Sequence, residues 1–437
     1  QCGMSKIDVR IHGSGIVGRA LALKLARQGL GVGIDARPAA PAGGEQRADV
    51  RAYALNAASV ELLRELKVWD GMAPDARTAV YDMRIAGDGQ GALAFSAWQQ
   101  TVPALAWIVD AAELEQVLET AIRFAPAVHV VDADTPAALT VIAEGKAAAA
   151  RDKLGVRFER HPYGHSALAT RVVSDVPHAG VARQWFRAPD VLALLPFDRP
   201  QPECSYGVVW SMPQAQAERL LHASEADFDD ALAAATNGAA GKLHVKGPRA
   251  TWPLMQASAA QVVGPGWALV GDAAHVIHPL AGQGLNLGLG DVAALAKVVA
   301  ERESWRALGD EALLRRYARA RLWPTRAMAG AVDGLWQLFC APAPDQPPQA
   351  IPGLARPRRV SRLIFRELHE HHRSRTAPPS RRLAGARLPV GLVRRRGHPP
   401  QLEPDPSEGA AHRRDQQDAH CRPVRAARGL GHHLFGR

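Results

Sequence analysis

Gly271-Asp-Ala-Ala-His-Val-Ile-His-Pro-Leu-Ala-Gly-Gln-Gly-Leu-Asn-Leu-Gly-Leu-Gly290 is the stretch whose reading decides the fold. An apolar run over 267–270 leads into it and predicts a strand ending at Gly271-Asp272. Leu285, Leu287, Leu289, Val292, Leu295 and Val299 then fall mostly on one face at helical spacing, which predicts a helix. Pro279, Gly282 and Gly284 stand between strand and helix. Glycine permits backbone angles and close approaches that a Cβ forbids. The free N–H groups and partial positive charge of a helix start suit an anionic or electron-rich ligand edge. Asp272, at a strand's C-terminal end, is placed to accept hydrogen bonds from a ribose or polyol chain. Alone, the stretch also reads as a tight turn carrying a surface acid.

A second glycine group near the start gives the first one meaning. Residues 6–12 alternate apolar and polar, and Gly13-Ser-Gly15-Ile-Val-Gly18 follows. Helical spacing continues through Val17, Leu21, Leu25 and Ala26, with Gly29 as a C′ stop, and a strand over 31–35 ends on Asp35. A dinucleotide fold needs this order. The first glycine makes the tight turn, the second admits a pyrophosphate, and the third lets helix pack on strand. The acid about 20 residues on bonds a ribose hydroxyl. The competing reading is an unrelated βαβ turn.

Asp49-Val-Arg51 leads into a predicted helix with Leu55, Val60, Leu63 and Leu66 as its apolar positions. Arg51 is placed either to reach a phosphate or flavin edge or to be an ordinary surface arginine. A helix is expected over 111–123 and a strand over 139–143. From 156 to 263 the pattern turns β-rich, with strands over 180–186, 191–197 and 205–211 and a helical patch over 214–236. Trp185, Phe186, Leu195, Phe197 and Trp210 line a substrate pocket or form sheet core, and spacing favours core. Residues 310–340 read as two helices broken near Trp323-Pro324. The expected architecture is α/β: a Rossmann-like domain interrupted by a mostly antiparallel β-sheet domain, with C-terminal helices. Its nucleotide-domain parts are 4–75, 106–155 and 264–340, the last including those helices; its substrate-domain parts are 76–105 and 156–263.

Composition bounds the rest. With 437 residues, 47% hydrophobic and 22% charged, the chain is long enough for two real cores. The net charge of +10 would normally suggest nucleic acid or an acidic membrane. Residues 341–437, however, hold 19 arginines, no lysine and 8 acids, so the tail carries the whole excess and the core is near neutral. This Arg/Pro-rich tail is poor in core-forming periodicity and reads as a disordered basic arm, a linker or an out-of-frame extension. Its lack of lysine and abrupt onset favour the last. Nucleic acid is therefore not the expected partner. Four scattered cysteines form no CxxC pair and read as free thiols. No uninterrupted apolar run of membrane-spanning length stands out, and no metal-ligand spacing; a cytoplasmic protein is expected.

Taken together, Gly13–Gly18, Asp49-Val-Arg51-Ala and Gly271-Asp-Ala-Ala-His…Pro279-Leu-Ala-Gly-Gln-Gly-Leu-Asn286 closely resemble the aromatic-ring flavoprotein hydroxylases. The nearest branch is the UbiH/UbiF/VisC/Coq-type hydroxylases of ubiquinone biosynthesis, and the resemblance spans residues 4–340. It implies FAD as cofactor, with NAD(P)H as transient reductant. Gly13, Gly15 and Gly18 would approach the pyrophosphate, Asp35 the adenosine ribose, and Arg51 the flavin or its phosphates. Asp272 would hold the ribityl chain and Pro279 would lie beside the ring system. Gly282, Gln283, Gly284 and Asn286 would present backbone N–H groups to the flavin's pyrimidine edge. No catalytic side chain is implied; Pro279 and His275 are the nearest candidates, His275 in a supporting position. The implied reaction is hydroxylation of a prenylated phenol with O₂, through a flavin C4a-hydroperoxide. Such a substrate implies contact with a membrane surface or a biosynthetic complex, peripheral to the inner membrane. The alternatives are another FAD-dependent oxidoreductase of the superfamily and a non-catalytic FAD- or nucleic-acid-binding protein.

The sequence departs from that pattern in places. Where the family carries DGxxSxxR, this chain has Glu144-Gly145-Lys-Ala-Ala-Ala-Ala-Arg151. The usual polar contact in the following helix region is represented by Ala112 and Glu115.

Overall fold

The structure, a computed structural model, describes residues 6–35, 49–87, 92–132, 134–277 and 283–339, without the side chains of 331–339. Pro279, Gly282 and the whole Arg/Pro-rich tail, with the expectations attached to them, lie outside the described residues.

The strand Val9–His12 sits in the middle of a six-stranded sheet. It pairs in parallel with Val32–Asp35 on one side and Leu139–Ile142 on the other. Val128–Val131 and Trp267–Leu269 extend the parallel part outward, and Val263–Gly264 closes one edge antiparallel. Val9, Ile11, Leu139 and Val141 are fully buried, as expected of strands covered on both faces. The chain leaves Val9–His12 toward one neighbour and later returns to the other. A crevice therefore opens at the C-terminal ends of Val9–His12 and Leu139–Ile142, where open α/β sheets bind ligands.

A nine-stranded sheet forms the second layer. Its spine is the 17-residue strand Phe158–Ser174, which pairs with Ser205–Pro213, Ala250–Ala259 and Leu243–Val245. The pairing is antiparallel except between Val181–Arg187 and Asp82–Ala86. Alternation along the strands gives it two faces. Trp185, Leu192, Tyr206, Val208 and Trp210 pack with Phe228 and Leu232 of the helix Glu225–Thr236. Phe197 and Ala182, with Leu195 at their margin, pack instead with Val80 and Ile108 of a three-stranded sheet that bridges the two layers. Phe186 joins Val191 in a smaller cluster against Met328. Phe186 and Phe197 are thus core, Leu195 is half-buried at its margin, and Trp185 and Trp210 are core residues that also line a cavity. A cavity of about 720 Å³ beside Trp185 and Trp210 lies on the helix-covered face.

Three expectations are corrected. Glu311–Phe339 is one continuous helix with Pro324 inside it. Proline removes one N–H and displaces the carbonyl four residues earlier, and here that residue, Ala320, is exposed, where water can take the bond. Leu55, expected on a helix, instead ends the strand Ala52–Leu55, and that helix runs Ala57–Glu65. The helical patch expected over 214–236 is present, as two helices, Gln214–His222 and Glu225–Thr236. Ser224 caps the second by accepting from the Asp227 N–H at 3.1 Å. Cys204 is buried and disulfide-bonded, so the reading of four free thiols fails. Pairing follows proximity in the fold, which linear spacing does not register.

Candidate active site

The first glycine turn is shaped by crowding. Gly13 has φ +105°, and a Cβ there would meet the Ala143 carbonyl oxygen at 2.4 Å. A Cβ on Gly18 would stand 2.0 Å from the Gly13 carbonyl oxygen. Gly15 is different, because a Cβ there would meet nothing within 4 Å. Gly15 caps the helix Ile16–Ala26 with no side-chain bond to its first N–H groups and no acid in its first turn. Free donors facing open space beside a switch-point crevice fit a pyrophosphate.

Asp35 ends the next strand. Arg10 donates to the Nε2 of His12, which leaves Nδ1 to donate to Asp35 Oδ2 at 3.0 Å. Among the described residues, Asp35 Oδ1 is buried with no hydrogen-bond partner. An orphaned acceptor at this place fits a ribose hydroxyl. Ligand atoms of His12, Asp35 and Glu144 lie within 4.8 Å of one another. Glu144 nevertheless accepts from the Ala150 N–H at 2.8 Å, and His12 is held by Arg10, so the group is a hydrogen-bonded cluster. Arg151, in the same segment, is fully buried and donates to the Ala273 carbonyl at 3.2 Å.

The second turn meets the first directly. Gly271 takes φ +61°. A Cβ on Gly288 would lie 2.8 Å from Val17 Cγ2 and 3.4 Å from Gly271 Cα. Val17, between Gly15 and Gly18, is thus seated against Gly271 and Gly288, some 254 and 271 residues away in sequence. Asp272 has no hydrogen-bond partner among the described residues, and burial pushes its carboxyl above the ordinary aspartate range. That unmet carboxylate fits a polyol chain. Gly284 to Asn286 form the first turn of the helix Gly284–Ala300, where N–H groups have no intrahelical acceptor; a Cβ on Gly284 would meet nothing within 4 Å.

Other side chains fix this turn in place. Asn286 Oδ1 accepts from the Asn56 N–H at 3.0 Å and from Ser59 Oγ at 2.8 Å, while its Nδ2 donates to the Ala54 carbonyl and to Gln283 Oε1. Asp291, wholly buried, accepts from Gly271 N–H at 2.9 Å, His275 Nε2 at 2.8 Å and Arg321 Nε at 2.6 Å. Burial alone would raise the Asp291 carboxyl. His275, Arg321 and the Gly271 N–H outweigh it and hold the group below the ordinary range. His275 is therefore a buried hydrogen-bond partner of Asp291 behind the turn.

Arg51 is held on three sides. It chelates Asp49 through Nε at 2.8 Å and Nη2 at 2.5 Å, donates to Glu115 at 3.0 Å and to the Tyr53 hydroxyl at 3.1 Å. Burial raises the Tyr53 hydroxyl, Arg51 opposes this, and the Asp49, Asp272 and Glu115 carboxylates add to it. Asp272 thus shares one electrostatic neighbourhood with the Arg51 cluster. Arg171 reaches across from the nine-stranded sheet to the Arg51 carbonyl at 3.0 Å. Of the predicted residues, Gly13, Gly15 and Gly18 form the first turn with Asp35 beyond it, Asp272, Gln283, Gly284 and Asn286 belong to the second, Arg51 neighbours Asp272 through Tyr53, and His275 lies behind the second turn.

Sequence reading missed Asp291, Arg321, Val17, Tyr53 and Arg171. Asp291 had a signal, being an acid within the apolar positions Leu289, Val292 and Leu295 of a buried helix.

Comparison with known proteins places this geometry. A family model described as FAD binding domain matches residues 131–331. The 3-demethoxyubiquinol 3-hydroxylase of Escherichia coli is 31% identical over 369 residues, covering 75% of this chain and 88% of that protein. The ubiquinone hydroxylase UbiL of Rhodospirillum rubrum is 29% identical over 358 residues, covering 76% and 81%. Among solved structures, a probable FAD-dependent monooxygenase, pqsL, of Pseudomonas aeruginosa superposes with a TM-score of 0.64 at 20% identity, over 82% of this chain and 100% of that one, which shows a shared fold.

Proposed function

Because the chain belongs to the family of FAD-dependent aromatic-ring hydroxylases that includes those of ubiquinone biosynthesis, we propose that it hydroxylates the ring of a prenylated phenol with O₂ and NAD(P)H. The observation that supports this most is the seating of Val17 against Gly271 and Gly288. It brings two glycine turns into one cradle, with unmet acceptors at Asp35 and Asp272 and free donors at Gly15. Bound FAD would supply the redox chemistry, accepting electrons from NAD(P)H and activating O₂.

The chain's own residues bind, orient and exclude water. Gly13, Gly15 and Gly18 admit the pyrophosphate against the helix start. Asp35 accepts from the adenosine ribose and Asp272 from the ribityl chain. Arg51, fixed by Asp49 and Glu115, sets positive charge near the phosphates and flavin. Backbone N–H groups from Gln283 to Asn286 would face the pyrimidine edge and favour negative charge there. Asp291, His275 and Arg321 act as positioning residues that keep Asp272 and the helix start in register. The domain parts proposed above would close a dry chamber between the FAD cradle and the nine-stranded sheet. A prenylated substrate would be met at a membrane surface or in a biosynthetic complex. Among the described residues no helix is long and apolar enough to cross a membrane.

The test is direct. The purified chain, supplied with FAD, is expected to be yellow, to oxidise NAD(P)H faster with a prenylphenol, and to place one atom of labelled O₂ on the ring. A folded chain that takes up no FAD would sink the reading. So would flavin reduction without label in the product.

A further inference from the structure

We propose that the exposed stripe of the helix Glu311–Phe339 is a docking surface for an anionic phospholipid bilayer. Helical spacing puts Arg315, Arg319, Leu322, Trp323, Arg326 and Gly330 on one side, and all of them are exposed. The opposite side is spent on the fold: Leu313, Leu314, Tyr317 and Arg321 are buried, Tyr317 on the Leu269 carbonyl and Arg321 on Asp291. Trp323 is 73% exposed and Leu322 41% exposed, side by side. Folding usually covers such a pair, and here it does not. The charges nearest the pair, Arg319 and Arg326, are both positive. Arg315 is paired with Glu311, while among the described residues Arg319 and Arg326 have no ion-pair partner.

A large apolar pair flanked by uncompensated arginines matches the bilayer interface. Tryptophan is favoured at headgroup depth, and arginine reaches outward to phosphates. Trp98 and Trp305 are also exposed, yet both sit on turns, and Trp305 is stacked under Arg306. The same charges would attract nucleic acid. A convex helix with Leu322 and small residues beside one tryptophan offers neither a groove for a phosphate backbone nor polar groups for base edges. The surface rests on the helix alone. Its use in delivering a prenylated phenol rests on the hydroxylase reading.

Co-sedimentation of the full FAD-loaded chain with phosphatidylcholine vesicles, with and without phosphatidylglycerol, tests it. Binding is expected to require phosphatidylglycerol and to weaken with salt. The double variant Leu322→Ser/Trp323→Ala is expected to weaken it about tenfold, and Arg319→Gln/Arg326→Gln to abolish the preference for phosphatidylglycerol, both with FAD content unchanged. Brominated lipid should quench tryptophan emission in the wild type and much less in Trp323→Phe. Unchanged vesicle binding in both double variants would overturn the proposal and assign the attraction to the basic tail, which they leave intact. Loss of duplex DNA binding, with no vesicle binding to lose, would overturn it too. Vesicle binding without ring hydroxylation would count against the hydroxylase reading and leave the docking surface standing.

Discussion

The two glycine turns reach the same cradle by different physics. At Gly13–Gly18 the backbone is packed so tightly that two of its three glycines leave no room for a Cβ. At Gly271 and Gly288 the fit to Val17 is looser, and the second turn is fixed by polar side chains drawn from far away. Arg321 comes from the C-terminal helix, Asn56 and Ser59 from near the N-terminus, and Asp291 and Asn286 gather them. The first turn is thus specified by close backbone contact, at Gly18 within its own βαβ unit and at Gly13 against Ala143. The second is specified only when the whole chain has folded.

That contrast can be broken at its steric end first. Gly18→Ala is expected to abolish folding or to cost more than about 4 kcal/mol, since backbone must move to relieve a 2.0 Å approach; chemical denaturation measures it. Asp291→Asn should cost about 3–5 kcal/mol, because it leaves Arg321 buried without its counter-charge. Arg321→Met in the same background should recover part of that loss, which locates the energy in the pair. If Asp291→Asn melts like the wild type, the claim that charge holds the second turn is wrong. Asn286→Ala leaves the Asn56 N–H and Ser59 hydroxyl without their acceptor and is expected to cost about 2–3 kcal/mol.

Acid separates the turns further. The folded Asp291 carboxyl lies below its unfolded value, so the stability it confers is complete above the ordinary aspartate range and is lost as pH falls through the lower, folded value. The wild type should show this loss in acid melts and Asp291→Asn should lack it. Asp272 has the opposite sign. Its raised carboxyl gains a proton sooner on acidification, and hydroxyl donors from a bound polyol chain need the charged form. FAD affinity is therefore expected to fall on the acid side, as fluorescence titration would show. Gly15→Ala should be the mildest for the fold, within about 1 kcal/mol, because its Cβ enters open space. It should still weaken FAD binding at least about tenfold, and equal affinity would remove Gly15 from the cofactor cradle.

How much was legible follows the same division. Glycine spacing, apolar periodicity and terminal acids are local signals. They located the parallel strands and the helices after each turn, and they singled out Gly13, Gly15, Asp35 and Asp272 as candidates. The long helix through Pro324 was misread because proline's effect depends on whether water can reach the carbonyl it displaces. The Cys204 disulfide was missed because pairing depends on distance in space.

By itself the sequence determined the α/β pattern and the backbone freedom of the two turns, since a missing Cβ or an apolar repeat acts on the chain where it stands. Only the tertiary structure decided that Val17 would be seated between Gly271 and Gly288, that His275 would serve Asp291, and that Trp323 would face outward. Those outcomes depend on which distant groups share a low-dielectric interior, where close packing and unpaired charge carry most of their energy.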